Sequence, residues 1–251
     1  MIAITELLNK FAPISLEQMS EVRLMNRTDM KFVTNLEKLS QLLAMAWQEY
    51  YVQDLGGERN TEYGTTYFDT SDFVMYRHHQ YGHANRQKIR FRTYVSSNKQ
   101  FMEVKTKDNH GRTKKKRIEV DDMNLQDKEK RQFLSRHLRY DVDTLQPTLS
   151  NRFSRITLVN KGMTERLTID SALRFHNIVN GMDKDMDKLV IVELKRNGLV
   201  YSPVLKMLRQ LRIQPHGFSK YCMGSALTNP HLQVNRFKLK LIEVNKLVNN
   251  I

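Results

Sequence analysis

The chain is poor in the residues that staple, punctuate or anchor a polypeptide. Its 251 residues include one cysteine, Cys222, one tryptophan, Trp47, five prolines and ten glycines. A single thiol excludes an internal disulfide and any zinc cluster built on cysteines. Proline and glycine together stand at about half their usual usage, which excludes collagen-like, linker-like and glycine-rich disordered chains. No run approaches the roughly 18 apolar residues of a membrane-spanning helix. The opening residues MIAITELLNKF are amphipathic and lack the charged start, apolar stretch and small-residue cleavage site of a secretory leader, so a cytoplasmic protein is expected. Acidic residues are scarce as well: 27 stand against 41 basic ones, for a net charge of +14.

That excess implies a polyanionic partner, whether nucleic acid, phosphorylated metabolite, polyphosphate or acidic membrane. What is present in quantity is core material, with 40% hydrophobic residues including 11 Phe, 10 Tyr and 13 Met. No internal repeat, low-complexity tract or linker divides the chain, so one domain spanning 1–251 is expected. Residues 4–11 read as a short amphipathic helix with Ile4, Leu7, Leu8 and Phe11 on one face. Residues 21–33 alternate, with Arg27, Asp29 and Lys31 on one side. Asn35 then starts a helix striped by Leu36, Leu39, Leu42, Leu43 and Trp47. Strand patterns follow at about 61–70, 86–95, 100–107, 113–120, 147–159, 163–171 and 188–197. Helices are expected near 126–138, after Ser202-Pro203, after Gly217 and over the tail 231–249. The fold class is α+β, with about eight mostly antiparallel strands.

The cations sit on the strands. In RQKIRFRTYV, Arg86, Lys88, Arg90 and Arg92 recur at every second position, so a strand sets them side by side opposite Ile89 and Phe91. Glu103, Lys105 and Lys107 alternate with Met102, Val104 and Thr106, and past the Asn109-His110-Gly111 turn Lys115 and Arg117 alternate with Lys116 and Ile118. Phe153 shares a face with Arg155, Arg166 with Thr168 and Asp170, and Glu193 with Lys195. On one strand this is ordinary amphipathicity. Repeated on six, it is costly, since two cations 5.5 Å apart at an effective dielectric near 20 repel by about 3 kcal/mol. If the sheet closes, these faces converge on an interior that requires an anion. Glu103, Asp29 and Glu193, the few acids there, suit a hard divalent cation.

In this order the residues resemble the catalytic VTC domain of polyphosphate polymerases, a branch of the CYTH-like triphosphate tunnel metalloenzymes. The resemblance runs from about Arg27 to Gly224. It rests on Arg27-x3-Lys31, Tyr67-Phe68-Asp69, Arg90-x-Arg92, Phe101-x-Glu103-x-Lys105-Thr106, the basic Lys114–Arg117 strand, Phe153-x-Arg155, Arg166-Leu-Thr-Ile-Asp170, Glu193-Leu-Lys195 and Phe218-Ser219-Lys220-Tyr221. It implies an eight-stranded antiparallel β tunnel, a closed barrel with surrounding and plugging helices, that binds ATP and extends a polyphosphate chain. Lys31, Arg90, Arg92, Lys105, Arg155 and Arg166 would then coordinate the triphosphate or the growing chain. Arg27, Lys115, Arg117, Lys195, Ser219 and Lys220 would add phosphate contacts, with a register for Lys114–Arg117 open by one residue. Glu193, with Glu103, would hold manganese or magnesium. His216-Gly217 stands where the family often has another lysine.

Two rivals stay open at this stage. A tripolyphosphate or nucleoside triphosphate hydrolase could use the same tunnel, but commonly opens on an alternating Glu-x-Glu-x-Lys strand, where this chain has Arg27-Thr-Asp29-Met-Lys31. A non-catalytic module could bind polyphosphate, inositol phosphates or nucleic acid. Against nucleic acid, the strand cations lack interleaved exposed aromatics for stacking, and no helix-turn-helix pattern is evident. His78, His79 and His83 read as a loop without metal-ligand spacing, His110 and His176 as turn residues, and Cys222 as a small core side chain.

Overall fold

A computed structural model describes residues 3–22 and 27–249. The chain begins with α1 (Ile4–Leu8), β1 (Ala12–Ile14), α2 (Leu16–Ser20), β2 (Arg27–Asn35), α3 (Leu36–Ala46) and β3 (Tyr50–Gln53). It continues through β4 (Thr61–Thr70), α4 (Val74–Gln80), β5 (Arg86–Tyr94), β6 (Lys99–Lys107), β7 (Thr113–Val120) and α5 (Lys128–His137). The last part holds β8 (Leu145–Asn160), β9 (Glu165–Asn177), β10 (Asp183–Met186), β11 (Leu189–Asn197), α6 (Pro203–Gln210), α7 (Lys220–Thr228) and α8 (Lys238–Asn249). No described helix is long and apolar enough to cross a membrane.

Eight strands form one path, β2-β11-β9-β8-β4-β5-β6-β7, and every neighbour on it is antiparallel. The path curls. Its inner face gathers Val33, Ile191, Phe175, Leu149, Phe153, Tyr63 and Tyr67 around α7. Its outer face is covered in two places: α1, α3 and α6 pack on Ile156, Leu167, Ile169, Val192 and Leu194, and α5 packs through Leu134 on Ile89, Phe91, Met102 and Val104. The α+β class and the antiparallel path agree with expectation, but β2 and β7 end the path, and no ladder joins them among the described residues. The β2 edge is instead covered by the segment before α7, where Phe32 bridges Pro215 and the His216 N–H donates to the Lys31 carbonyl at 2.7 Å.

Local chemistry explains the main elements. Asn35 caps α3 by accepting from the Lys38 N–H at 3.0 Å, and the stripe Leu39, Leu42, Leu43 and Ala46 is buried. Trp47, expected on that stripe, lies past the last turn and is partly exposed. Ser15 and Gln18 form a reciprocal capping box on α2. Pro203 sits in the first turn of α6. The first helix is shorter than expected, although Leu7, Leu8 and Phe11 are all buried. The alternation read from residue 21 is seen only from Arg27, because 23–26 lie outside the described residues. The tail forms a 3-10 turn at Asn235–Phe237 and then α8.

Two expectations are corrected. His78 and His79 lie on α4, not in a loop. Phe73 opens that helix in the left-handed region, and buried Asp69 accepts the Met75 and Tyr76 N–H groups at 2.9 Å each. His176 lies within β9 rather than a turn, because β9 runs six residues further than its pattern to pair with β10.

Candidate active site

The alternation along β5 holds as expected. Ile89 and Phe91 are buried under α5, while Lys88, Arg90 and Arg92 point into the concave face. Arg90 reaches Glu103 on β6 through Nε at 2.7 Å and Nη2 at 2.6 Å. Lys115 on β7 approaches the other oxygen of Glu103 at 3.3 Å. Burial pushes the Glu103 carboxyl up, yet Arg90, Arg92 and Lys115 outweigh it and hold the group well below the carboxylate range. The register is settled: Lys115 faces Lys105 and Arg117 faces Glu103, with the Arg117 guanidinium 4.6 Å from the Phe101 ring centre. Lys114 and Lys116 therefore take the opposite face.

A second group is built on β8, β9 and α7. Arg155 grips Asp170 with two parallel hydrogen bonds of 2.6 and 2.8 Å, and Lys220 pairs with the same carboxylate. Burial would raise Asp170, but Arg155 and Lys220 hold it well below its usual range. Lys220 pays for that burial with a depressed pKa of about 8, to which Arg155 and Arg92 add. The Phe153 ring lies beneath this cluster, 3.9 Å from Lys220 Nζ and 5.3 and 5.7 Å from the Arg155 and Arg92 guanidinium carbons. Ser219 caps α7, accepting from the Cys222 N–H at 3.2 Å, and also accepts from Lys88 Nζ at 2.9 Å. Gly224 lets α7 lie this deep, since a Cβ there would stand 2.5 Å from Phe175.

The third group joins β2 and β11. Glu193 accepts from Lys31 at 3.0 Å and lies 3.9 Å from Lys195. Burial raises it, but Lys195 and Lys31 bring its pKa down to about 2. Arg27 pairs with Asp29 at 2.7 Å near the open rim. Arg166 is held apart from the acids, donating to the Met19 carbonyl on α2 at 3.0 Å. The curl links the groups: Lys105 on β6 senses Glu193 on β11, and Lys88 on β5 senses Lys31 on β2, though neither pair of strands is adjacent.

Arg92, Lys105, Lys88, Arg117 and Arg166 form no ion pair with a carboxylate among the described residues, and at Arg92 and Lys105 neighbouring cations also lower the pKa. Arg92 is buried, its Nε is unpartnered, and burial, Arg90 and Arg155 lower its pKa to about 10. Lys105 is depressed well below the lysine range by Arg90 first, then by burial and Arg92. Cations left without a carboxylate partner in such a ring favour a ligand with several linked negative charges. Among the described residues no three His, Cys, Asp or Glu side chains converge as a metal site. Glu103 is 1% exposed with both oxygens engaged, whereas the Glu193 side chain keeps 22% exposure. The sequence assigned no role to Lys88, Asp170 or Phe153. Lys88 was legible from its period-2 spacing to Arg90, and Asp170 from the pairing of β8 with β9 only once the register is known.

A family model described as the VTC domain matches residues 26–229. No curated protein matches the chain. Among solved structures, a candidate adenylate cyclase of Bacillus halodurans is 13% identical, with 85% of this chain and 99% of that one covered at a TM-score of 0.49. One from Vibrio parahaemolyticus is 12% identical over 80% and 99%, at 0.47. A candidate adenylyl cyclase of Hippeastrum, described as having a dominant triphosphatase activity, is 14% identical over 81% and 97%, at 0.48.

Proposed function

The chain belongs to the VTC-domain family, and on that premise we propose that it is an ATP-dependent polyphosphate polymerase whose concave face closes as a tunnel around a phosphate chain. The observation that carries this reading is the pair of uncompensated cations, buried Arg92 and half-buried Lys105, among cations that Glu103, Asp170 and Glu193 hold in place. Arg90, Arg155 and Lys220 are preorganised by Glu103 and Asp170, so they meet phosphate oxygens without rearranging. Lys31, Lys88, Lys195 and Ser219 supply contacts that a sliding chain can release, because an ammonium is a point charge without the arginine fork. Arg166, Lys115, Arg117 and Arg27 extend the cationic surface toward the rim.

Phosphoryl transfer needs positioning and charge neutralisation more than covalent chemistry. A terminal oxygen of the polyphosphate chain attacks the γ-phosphorus of ATP in line. A new P–O bond forms, the bond to the bridging β–γ oxygen breaks, and ADP leaves with that electron pair. Arg92 and Lys105 neutralise the oxygens of the transferring group, and no protein nucleophile takes part. Glu193 fits a magnesium or manganese ion as a single carboxylate ligand, because such ions complete their shell with water and substrate phosphate. When bound, the ion would neutralise charge on adjacent phosphates. Glu103 acts as counter-ion to Arg90 and Lys115.

Incubation with ATP and manganese, followed by polyphosphate staining on a gel and a free-phosphate assay, tests the reading. Polymer with matching ADP is expected. Free phosphate without polymer would make the protein a hydrolase. Neither product, with tripolyphosphate or inositol phosphate bound, would make it a binding module.

A further inference from the structure

The outer face of β6 and β7 carries a second cationic site. A cleft of about 360 Å³ lies between these strands and the end of α5, lined by Thr106, Lys114, Lys116, Arg136, His137 and Arg139 among others. It follows from the same alternation that builds the concave site. β7 sends Lys115 and Arg117 inward, so Lys114 and Lys116 stand outward beside Thr106 and Val104.

The cleft's cations are unspent. Elsewhere around α5, Lys130 pairs with Asp122 at 2.5 Å and Arg131 with Asp143 at 2.6 Å. Lys114, Lys116, Arg136 and Arg139 have no ion-pair partner among the described residues. The one acid on the lining, Asp108, accepts from the Arg112 N–H at 2.9 Å. The carboxyl end of α5 would repel an anion, but Gln87 on the sheet donates to the His137 carbonyl at 2.7 Å and accepts from the Arg139 N–H at 2.8 Å. Gln87 thereby covers that end and fixes Arg139 at the cleft.

We infer that this cleft binds inorganic polyphosphate, as a track for the part of a chain that lies outside the concave site. The inference rests on the reading of that site as a polyphosphate site. β7 is the last strand of the sheet, so a chain leaving Lys115 and Arg117 crosses one strand edge to reach Lys114 and Lys116. Repeated identical anions suit flexible lysines and arginines spaced along a groove, where no single contact must be exact in position. Two linked sites on one polymer also raise its overall affinity by an effective-concentration effect that a short ligand does not feel.

The test compares polyphosphate of about a hundred units with tripolyphosphate on the full chain, by isothermal titration calorimetry at fixed salt. In Lys114→Gln/Lys116→Gln/Arg136→Gln/Arg139→Gln, long-chain affinity should fall at least tenfold, as the loss of a linked second site implies. Tripolyphosphate affinity should change less than twofold. The double variants Lys114→Gln/Lys116→Gln and Arg136→Gln/Arg139→Gln should each show part of the loss, and all must melt as cooperatively as the wild type to be scored. Unchanged long-chain affinity would overturn the inference, as would an equal fall for both ligands, which would make the cations general electrostatic contributors. If the wild type bound neither ligand, the proposed function would fail first.

Discussion

Arg90 and Arg92 are two residues apart, on one strand face, and the alternation of the sequence does not tell them apart. Their partners separate them. Arg90 neutralises buried Glu103, so Arg90→Ala strands a carboxylate with only Lys115 at 3.3 Å and should cost about 3 kcal/mol of stability. Arg92→Ala removes an unpaired cation and relieves repulsion from Arg90 and Arg155. It should leave the ligand-free melting temperature unchanged or slightly raised while weakening tripolyphosphate binding at least tenfold. Calorimetric melting of both variants checks this, and a large loss of stability in Arg92→Ala would refute it.

The lysines allow a prediction about protons. Lys220 is depressed to about 8 by burial, Arg155 and Arg92, and Lys105 and Lys88 are lowered as well. Near pH 8.5 Lys220 is partly deprotonated in the empty protein, and the lowering of Lys105 and Lys88 acts in the same direction. A polyanion favours their charged forms and raises their pKa values, so binding must take up protons. Titration in two buffers of different ionisation enthalpy at pH 8.5 should show net uptake, reduced in Lys220→Met. Zero uptake would mean that the ligand bypasses these lysines.

At the scale of elements, the long strands were legible because each puts apolar residues under a helix and cations on the other face, a period of two that no helix mimics. β1, β3 and β10 were not, since three or four residues are too few for a pattern. α4 was hidden for a different reason: its first N–H donates to the Thr70 hydroxyl and the next two to Asp69, four to seven residues back, not to a side chain at the usual capping position. The position of α7 was legible only in part. Ser219 announces its start, but the depth of the helix depends on Gly224 against Phe175 and Leu149, a contact between distant segments. Gly224→Ala should therefore cost about 1–3 kcal/mol through overpacking. By lifting the helix it should also loosen Lys88 from Ser219 and Lys220 from Asp170, weakening tripolyphosphate binding. A variant with lowered melting temperature but undiminished affinity would show that α7 is a structural plug alone.

At the scale of the whole molecule, cations from β2, β5, β6, β7, β8, β9 and β11 face one interior, while β2 and β7 remain unjoined. Among the described residues the empty protein offsets that repulsion with Glu103, Asp170 and Glu193, and with Asp29 at the rim. A short linear polyanion that touches several strands at once neutralises them together and ties the two ends of the path to a common ligand. By mass action, tripolyphosphate at one hundred times its dissociation constant adds about 2.7 kcal/mol of stability, roughly 5–10 °C in melting temperature for a chain of this size. Single-stranded DNA carries one charge per phosphate and bulky bases between them, so if the face closes as proposed it cannot thread the interior and is left with outer cations such as Lys114 and Arg139. At matched phosphate and low salt, tripolyphosphate should raise the melting temperature by several degrees more than an oligodeoxynucleotide does. Equal shifts would mean that the curled face behaves as an open basic sheet, because an open surface offers its charges to both ligands alike.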